Sequence, residues 1–173
     1  MTHRLRPWHP EDAQELFEAT ADPEIARQLP PFETEAQARA HIAKLAGSDD
    51  IVAYVISDDS DAVLGGVMAR LNRPMRTAWV SYWLVPEARG LGLASRGTVA
   101  LANWLFDKGI HRLELGYRLN NPDSRKVADR AGFIQEGVMR EELEYDGVRY
   151  DTALMSRLAS DPVPDTEPLP GLE

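Results

Sequence analysis

Apolar and polar positions alternate or recur along this chain in patterns that predict an order of strands and helices. Apolar residues at three- and four-residue spacing predict helices over 10–21 and 34–45. Three apolar, β-branched runs between 51 and 86 are joined by short turns, which predicts an antiparallel meander. A short edge strand is expected at 5–8, where a proline is tolerated.

The stretch from 78 to 133 organises the rest of the chain. Its first strand, over 78–85, leads into a glycine-rich turn at 89–94 that opens a helix with one apolar or small-residue face. A strand at 112–117 follows this helical crossover, so it should lie parallel to the strand before the helix.

The chain continues with a short helix over 122–130 and two strands, over 133–145 and 148–158. Asp146-Gly147 between these strands is a strong signal for a two-residue hairpin. These elements together predict an α+β fold, with a mixed, mostly antiparallel sheet flanked by helices.

The turn Arg89-Gly90-Leu91-Gly92-Leu93-Ala94 favours an anion site. The first turn of a helix has unpaired N–H groups and partial positive charge, and glycines let a bulky anion approach them. Phosphate or pyrophosphate is expected there, and Arg89 could add a cation. A P-loop is excluded because no Gly-Lys-Ser/Thr follows. A dinucleotide-binding fingerprint is disfavoured because Ser95 replaces its third glycine and two strand-like runs precede it.

Length and composition predict one domain, over 1–159, in a chain of 173 residues. The acidic, proline-rich segment 160–173 is expected to be disordered or loosely docked. The absence of cysteine excludes disulfides, thiolate metal sites and an acetyl-cysteine intermediate. The four histidines show no metal-ligand spacing, so no metal is expected.

A net charge of −9 disfavours non-specific nucleic-acid binding. The acidic surface suits a cationic substrate such as an amine, or it serves solubility, and both interpretations stay open. The longest uncharged strand-like run is too short to span a membrane as a helix, and no apolar signal core follows the N-terminal charges. We therefore expect no membrane partner and a cytoplasmic location.

The glycine-rich turn resembles the Arg/Gln-x-x-Gly-x-Gly/Ala signature of the GNAT N-acetyltransferase superfamily. Asn121-Pro122-Asp123-Ser124-Arg125 and Ala131-Gly132-Phe133 resemble the Asn-x-x-Ser…Gly-Phe segment of its RimJ/RimL-type branch, the ribosomal-protein alanine N-acetyltransferases. The first signature is weak by itself, but its combination with Tyr82-Trp83-Leu84 upstream and the downstream segment is specific. The resemblance covers roughly residues 5–158.

This resemblance implies a fold in which a splayed parallel strand pair admits the pantetheine arm of coenzyme A. It implies acetyl-CoA as the acyl donor, direct transfer to a primary amine and backbone contacts from the turn to the pyrophosphate. A Leu84 or Val85 N–H would polarise the thioester carbonyl. The implied coenzyme-binding residues are Leu84, Val85, Arg89, Gly90, Leu91, Gly92, Leu93, Ala94, Ser95, Asn121, Ser124 and Arg125.

The catalytic residues that the resemblance implies are Asn121, which would contact coenzyme A, and Ser124, which would protonate the departing thiolate. Asn and Ser before a helix are also ordinary caps, so both interpretations stand. Trp79 occupies the position of a Glu that often serves as general base in RimL-like proteins. Asp151 and Glu114 are fallback candidates, each with a structural alternative. A terminal amine has a pKa of about 8, so a water relay could suffice.

The resemblance also implies that the first two helices and their loop form one wall of the acceptor site. Arg27, Leu29 and Phe32 would belong to that wall or would only pack, and Trp79 and Ser81 would line the pocket. A protein or peptide N-terminal amine leads as acceptor, followed by a polyamine, amino acid or antibiotic. An acyl-CoA-binding module without turnover and a dinucleotide-binding protein are the competing hypotheses. Dimers occur among relatives, so a homodimer is one expected assembly.

Overall fold

The computed structural model describes residues 2–172, and across them no helix is long and apolar enough to cross a membrane. The helices are α1 (Ala13–Ala19), α2 (Pro23–Ala26), α3 (Glu35–Ala46), α4 (Leu93–Asp107) and α5 (Pro122–Arg130). The strands are β1 (Arg4–Pro7), β2 (Ile51–Ser57), β3 (Val63–Asn72), β4 (Thr77–Leu84), β5 (Arg112–Arg118), β6 (Ile134–Tyr145) and β7 (Val148–Leu158).

The strands form one sheet in the order β1-β2-β3-β4-β5-β7-β6, and all neighbours are antiparallel except β4 and β5. The predicted meander, the parallel strand reached through α4 and the final hairpin are confirmed. The α+β fold class is therefore confirmed, with β1 at one edge as expected.

β4 and β5 pair only near their beginnings, where residues 77–79 lie beside residues 112–114. β5 continues to pair with β7 as far as Arg118. The described ladder between β4 and β5 ends at Trp79, so these two strands separate toward their C-terminal ends. We call the opening between residues 80–84 and 115–118 the wedge.

Two apolar clusters hold the helices on opposite faces of the sheet. The main cluster, with Leu101 and Leu113, lies under α4 and α5. The second cluster, with Leu16 and Trp83, lies under the first three helices. β4 contributes side chains to both clusters, because successive side chains of a strand point to opposite faces. Val80 belongs to the main cluster, and Trp83 belongs to the second.

The first predicted helix ends earlier than expected, at Ala19, and is followed by the unpredicted one-turn helix α2. The Asp22 carboxylate accepts hydrogen bonds from the N–H groups of Glu24 (2.9 Å) and Ile25 (3.1 Å) and so caps this turn. Periodicity could not indicate α2, because Ile25 is the buried residue among its four.

The segment after β7, which was expected to be disordered or loosely docked, lies against the domain. Leu169 is 2% exposed and belongs to the main cluster. The N–H of Leu5 donates to the carbonyl oxygen of Pro170 (2.8 Å), and the N–H of Leu169 donates to that of Arg96 (3.2 Å). One buried leucine and hydrogen bonds to β1 and α4 therefore hold this segment on the domain.

Candidate functional site

The wedge opens into two adjoining cavities. The large cleft, of about 470 Å³, extends from the glycine-rich turn to α5. The small cavity, of about 240 Å³, lies among β4, β5, α2 and the β6–β7 hairpin. Six residues line both cavities: Glu24, Gln28, Tyr82, Arg118, Asn121 and Ser124. A molecule that reaches from one cavity into the other would therefore meet these residues.

The glycine-rich turn faces the large cleft with unpaired backbone amides. Gly90 and Gly92 have φ angles of 78° and 75°, and a Cβ at either position would meet nothing within 4 Å. Gly92 caps the 15-residue helix α4, so the N–H groups at 93–95 have no intrahelical acceptor and lie at the positive end of the dipole. Ser95 is buried, and Leu91 is 58% exposed outside the cleft lining. This geometry fits a bound anion.

Four basic residues line the large cleft: Arg89, Arg118, Lys126 and Arg130. The predicted Arg125 is outside this lining, and its Nε lies 3.7 Å from the Asp129 carboxylate. Residues 126 and 130 are four apart on α5 and therefore share the helix face toward the cleft, whereas residue 125 does not.

The Arg89 side chain, predicted to add a cation, is already paired with protein groups. Its Nη2 lies 3.0 Å from an Asp22 carboxylate oxygen, and its Nε donates to the carbonyl oxygen of Leu84 (3.2 Å). Burial raises the pKa of Asp22, but hydrogen bonds from Arg89 and the α2 amides outweigh it and hold that pKa below its usual value.

The backbone of β4 offers a different set of amides to the wedge from the one expected. The N–H of Val85 donates to the carbonyl oxygen of Leu64 (2.9 Å), so it is not free for a ligand. The backbone N–H groups along an antiparallel strand alternate between its two sides. The N–H groups of Tyr82 and Leu84 therefore point toward β5. Of the two predicted backbone donors, the Val85 N–H is therefore used by β3, whereas the Leu84 N–H, like that of Tyr82, is directed toward the wedge.

Asn121 and Ser124 meet at the start of α5, where capping is observed directly. The Asn121 side chain accepts a hydrogen bond from the N–H of Ser124 (3.1 Å). The Tyr82 hydroxyl donates to the carbonyl oxygen of Ser124 (3.2 Å), and burial raises the pKa of Tyr82 to about 12. Both ends of the Ser124 backbone are thus held at the junction of the two cavities. Tyr82 appears in the sequence motif, but no sequence signal assigned it this contact.

Three predicted acceptor-site residues, Arg27, Trp79 and Ser81, line the small cavity. Trp79 is 39% exposed, and its indole lies over Gly116, where a Cβ would come within 3.2 Å of it. Leu29 and Phe32 lie outside the lining of both cavities, and Leu29 lines a smaller third cavity. The Phe32 ring contacts His41 in a tilted arrangement with ring centroids 5.4 Å apart and packs in the second cluster, in line with the packing alternative.

The fallback bases Asp151 and Glu114 lie outside the two cavities and have structural partners. Asp151 accepts the N–H of Glu141 (2.8 Å), and Glu114 pairs with Arg112 (2.9 Å). Asp151 is exposed.

A charged cluster that the sequence did not indicate closes the small cavity. Glu24 pairs with Arg27 (2.6 Å) and with Arg118 (2.5 Å). Both guanidinium groups lie over the Tyr145 ring, 5.0 and 5.6 Å from its centroid. Glu24 and Arg118 are 94 residues apart, so no local pattern could have revealed the pair.

A third cavity, of about 40 Å³, adjoins the small cavity, and we call it the chamber. Ala53, Met68 and Ser81 form a row across β2, β3 and β4, and all three line the chamber. Ser81 and Gln28 also line the small cavity. Burial and Lys44 lower the pKa of His41, another lining residue, which favours its neutral form.

A family model described as acetyltransferase (GNAT) domain matches residues 3–134. The ribosomal-protein-serine acetyltransferase of Escherichia coli K12 is 30% identical over 100 residues, which cover 57% of this chain and 56% of that protein. The crystal structure of spermidine N-acetyltransferase from Vibrio cholerae in complex with CoA and spermine has a TM-score of 0.83 at 21% identity, covering 92% and 97% of the two chains. RimJ of Mycobacterium smegmatis in complex with CoA-disulfide has a TM-score of 0.77 at 23% identity, covering 91% and 82%.

The alignments with three curated relatives, from Bacillus subtilis and E. coli, span 55% to 60% of those proteins. The two solved structures share less than a quarter of their residues with this chain, so they show the fold alone. The domain match covers both strands that form the wedge, together with the glycine-rich turn.

Proposed function

Because this chain belongs to the GNAT acetyltransferase family, we propose that it moves an acetyl group from acetyl-CoA directly to a primary amine. The observation that carries the proposal is the turn of unpaired amides at the start of α4, which opens into a wedge between two separating parallel strands. A pyrophosphate at that turn and a pantetheine arm in the wedge would bring the thioester to the junction of the two cavities.

The residues at the junction suit each part of the transfer. The neutral amine attacks the acetyl carbonyl carbon, a C–N bond forms, and the C–S bond breaks. An N–H of Tyr82 or Leu84 would stabilise the negative charge that develops on the carbonyl oxygen. The amine gives its extra proton to water, the Ser124 hydroxyl would protonate the leaving thiolate, and Ser124 would regain a proton from that water. Asn121 would hold Ser124 in place through its cap.

A carboxylate base is not required in this scheme. Glu24, at the junction, already binds Arg27 and Arg118 through its two oxygens, so it is poorly placed to accept a proton. The ordinary pKa of a terminal amine is about 8, so a substantial neutral fraction exists near that pH without assistance.

Within this proposal, a protein or peptide N-terminal amine is favoured over a polyamine. Two carboxylates, Glu24 and Glu142, and two guanidinium groups, Arg27 and Arg118, line the small cavity, so their formal charges cancel. A polyamine brings several positive charges, whose desolvation calls for an excess of acidic groups. The chamber offers room for a small uncharged side chain beside the amine. The E. coli relative, named for a serine of a ribosomal protein, supports the same choice.

Thermal shift and thiol release test the proposal in two steps. Acetyl-CoA at 100 times its dissociation constant should add roughly 2.7 kcal/mol to the unfolding free energy, whereas NADH should add none. Thiol release is then measured on a panel of peptides, polyamines and amino acids, and peptides with free N-termini should be the best substrates.

Each alternative gives its own result in this experiment. Stabilisation by NADH alone would overturn the proposal in favour of a dinucleotide-binding protein. Stabilisation by acetyl-CoA with no thiol release on any amine would leave a binding module. Faster release with spermidine than with any peptide would overturn the choice of acceptor while keeping the acetyltransferase.

A further inference from the structure

Arg89 joins the glycine-rich turn to the wall of the small cavity. We propose that its side chain positions the acceptor wall for the reaction, and that the phosphates are bound by the backbone amides and the other cations of the large cleft. This inference rests on the proposed function, because it assigns a role in a site with a donor side and an acceptor side.

Arg89 connects three parts of the protein: the glycine-rich turn, the end of β4 and the start of α2. The residue itself belongs to the turn, its Nε binds the Leu84 carbonyl at the edge of the wedge, and its Nη2 binds Asp22. The Asp22 side chain is 17% exposed, against 43% for Arg89, so the pair is partly shielded from water on the Asp22 side. A guanidinium engaged in this way is less available to a phosphate than Arg130, which lines the same cleft. Lys126 also lines the cleft, and its pair with Asp123 (3.1 Å) is more exposed, at 66% and 87%, than the Arg89–Asp22 pair.

Asp22 links the Arg89 side chain to the first turn of α2. Its Oδ1 accepts the N–H groups of Glu24 and Ile25, so the same oxygen that binds Arg89 also fixes the first turn of α2. Ile25 is 1% exposed in the second cluster, which anchors the other side of the turn.

Glu24, on α2, links this helix to the wall of the small cavity. It lines both cavities and pairs with Arg27 and Arg118, which form the charged side of the small cavity. A change at the Arg89–Asp22 pair should therefore displace the acceptor wall, while the amides of the glycine-rich turn keep their places at the start of α4.

The test uses two substitutions that remove charge and keep local structure. Asp22→Asn keeps an N-cap of equal strength for α2 but loses the carboxylate. Arg89→Gln keeps a hydrogen-bond donor near Leu84 but loses the guanidinium. The double variant measures the coupling between the two positions. Asp50→Asn is the matched control, because Asp50 forms an exposed pair with Arg73 (3.1 Å) away from the cavities.

Each single variant should raise the KM for a peptide acceptor roughly three- to tenfold, with the acetyl-CoA Kd, from titration calorimetry, within about twofold of wild type. The acceptor KM of the double variant should not exceed that of the more impaired single variant. Hydrogen exchange over residues 20–28 of the free protein should be faster in all three, and Asp50→Asn should match wild type throughout.

Two results would overturn the positioning role. One is a tenfold weaker acetyl-CoA affinity in Arg89→Gln together with an unchanged acceptor KM in Asp22→Asn, which is the signature of a phosphate ligand. The other is independent, multiplicative effects in the double variant. If the wild-type protein neither binds acetyl-CoA nor releases thiol, the proposed function fails, and hydrogen exchange over 20–28 still decides whether Arg89 holds α2.

Discussion

Ser124 is held at the junction of the two cavities by its neighbours on both sides. Its N–H is bound by Asn121, and its carbonyl oxygen is bound by the Tyr82 hydroxyl. The backbone position of Ser124 is therefore fixed. Its hydroxyl could then donate a proton to a leaving group that enters through the large cleft.

Ser124→Ala is expected to lower kcat roughly a hundredfold, because the leaving thiolate loses its proton donor. The acetyl-CoA Kd should stay nearly unchanged, since the backbone contacts of residue 124 remain. Stopped-flow thiol release and calorimetry would measure the two effects, with Ser48→Ala on the loop after α3 as a control. Equal turnover in variant and wild type would remove Ser124 from the mechanism.

Tyr82 makes a pH dependence of stability testable. Burial raises its pKa to about 12, above the value of about 10 in an unfolded chain. Its contribution to the unfolding free energy is therefore complete below pH 10 and is lost as the pH rises toward 12. Urea unfolding should show wild type losing stability relative to Tyr82→Phe across that window. A constant difference between the two proteins would contradict the raised pKa.

Among the elements, the junction between β4 and α4 determines where an anion can bind. A strand, a glycine-rich turn and a long helix follow one another within 31 residues, from Thr77 to Asp107. The left-handed backbone at Gly90 and Gly92 aims the first amides of α4 into the large cleft.

Gly92→Ala should destabilise the fold by about 1–2 kcal/mol, because an L-residue at a φ of 75° strains the backbone even though its Cβ has room. It should also weaken acetyl-CoA binding, since relief of that strain would turn the amides of α4 away. Denaturant unfolding and calorimetry would measure both. Gly137→Ala is the control: its Cβ also meets nothing within 4 Å, and its φ is not positive. Equal behaviour of the two variants would mean that the left-handed turn is not required.

For the whole molecule, the segment after β7 connects the sheet edge to the two helices of the large cleft. Besides the bonds of Leu5 and Leu169, the Thr166 hydroxyl donates to the carbonyl oxygen of Arg130 (2.7 Å) at the end of α5. The Nε of Arg96 donates to the carbonyl oxygen of Glu167 (3.2 Å). This segment therefore packs behind the cleft and contributes to its support.

Leu169→Ala should lower the unfolding free energy by about 2–4 kcal/mol, because it removes a buried leucine from the main cluster. Val163→Ala, at a position 76% exposed in the same segment, should change it little. Urea unfolding of both variants would measure the difference. Identical stabilities would mean that the segment does not dock in solution.

The sequence by itself determined the glycine-rich turn, the Asn121 cap and, except for α2, the order of strands and helices. Each of these depends on residues within a few positions of one another, where backbone geometry and hydrophobic periodicity act directly. The resemblance to a known family then supplied the wedge, which the parallel crossover through α4 made geometrically reasonable.

The tertiary structure alone decided which groups face that wedge. Strand register determines that the Val85 amide is used by β3, and the packing of α2 determines that Asp22 takes the Arg89 side chain. Glu24 and Arg118 meet from distant segments, and Leu169 finds a place in the main cluster that composition could not indicate. Charge pairs and burial depend on distances between segments, which a local sequence pattern does not contain.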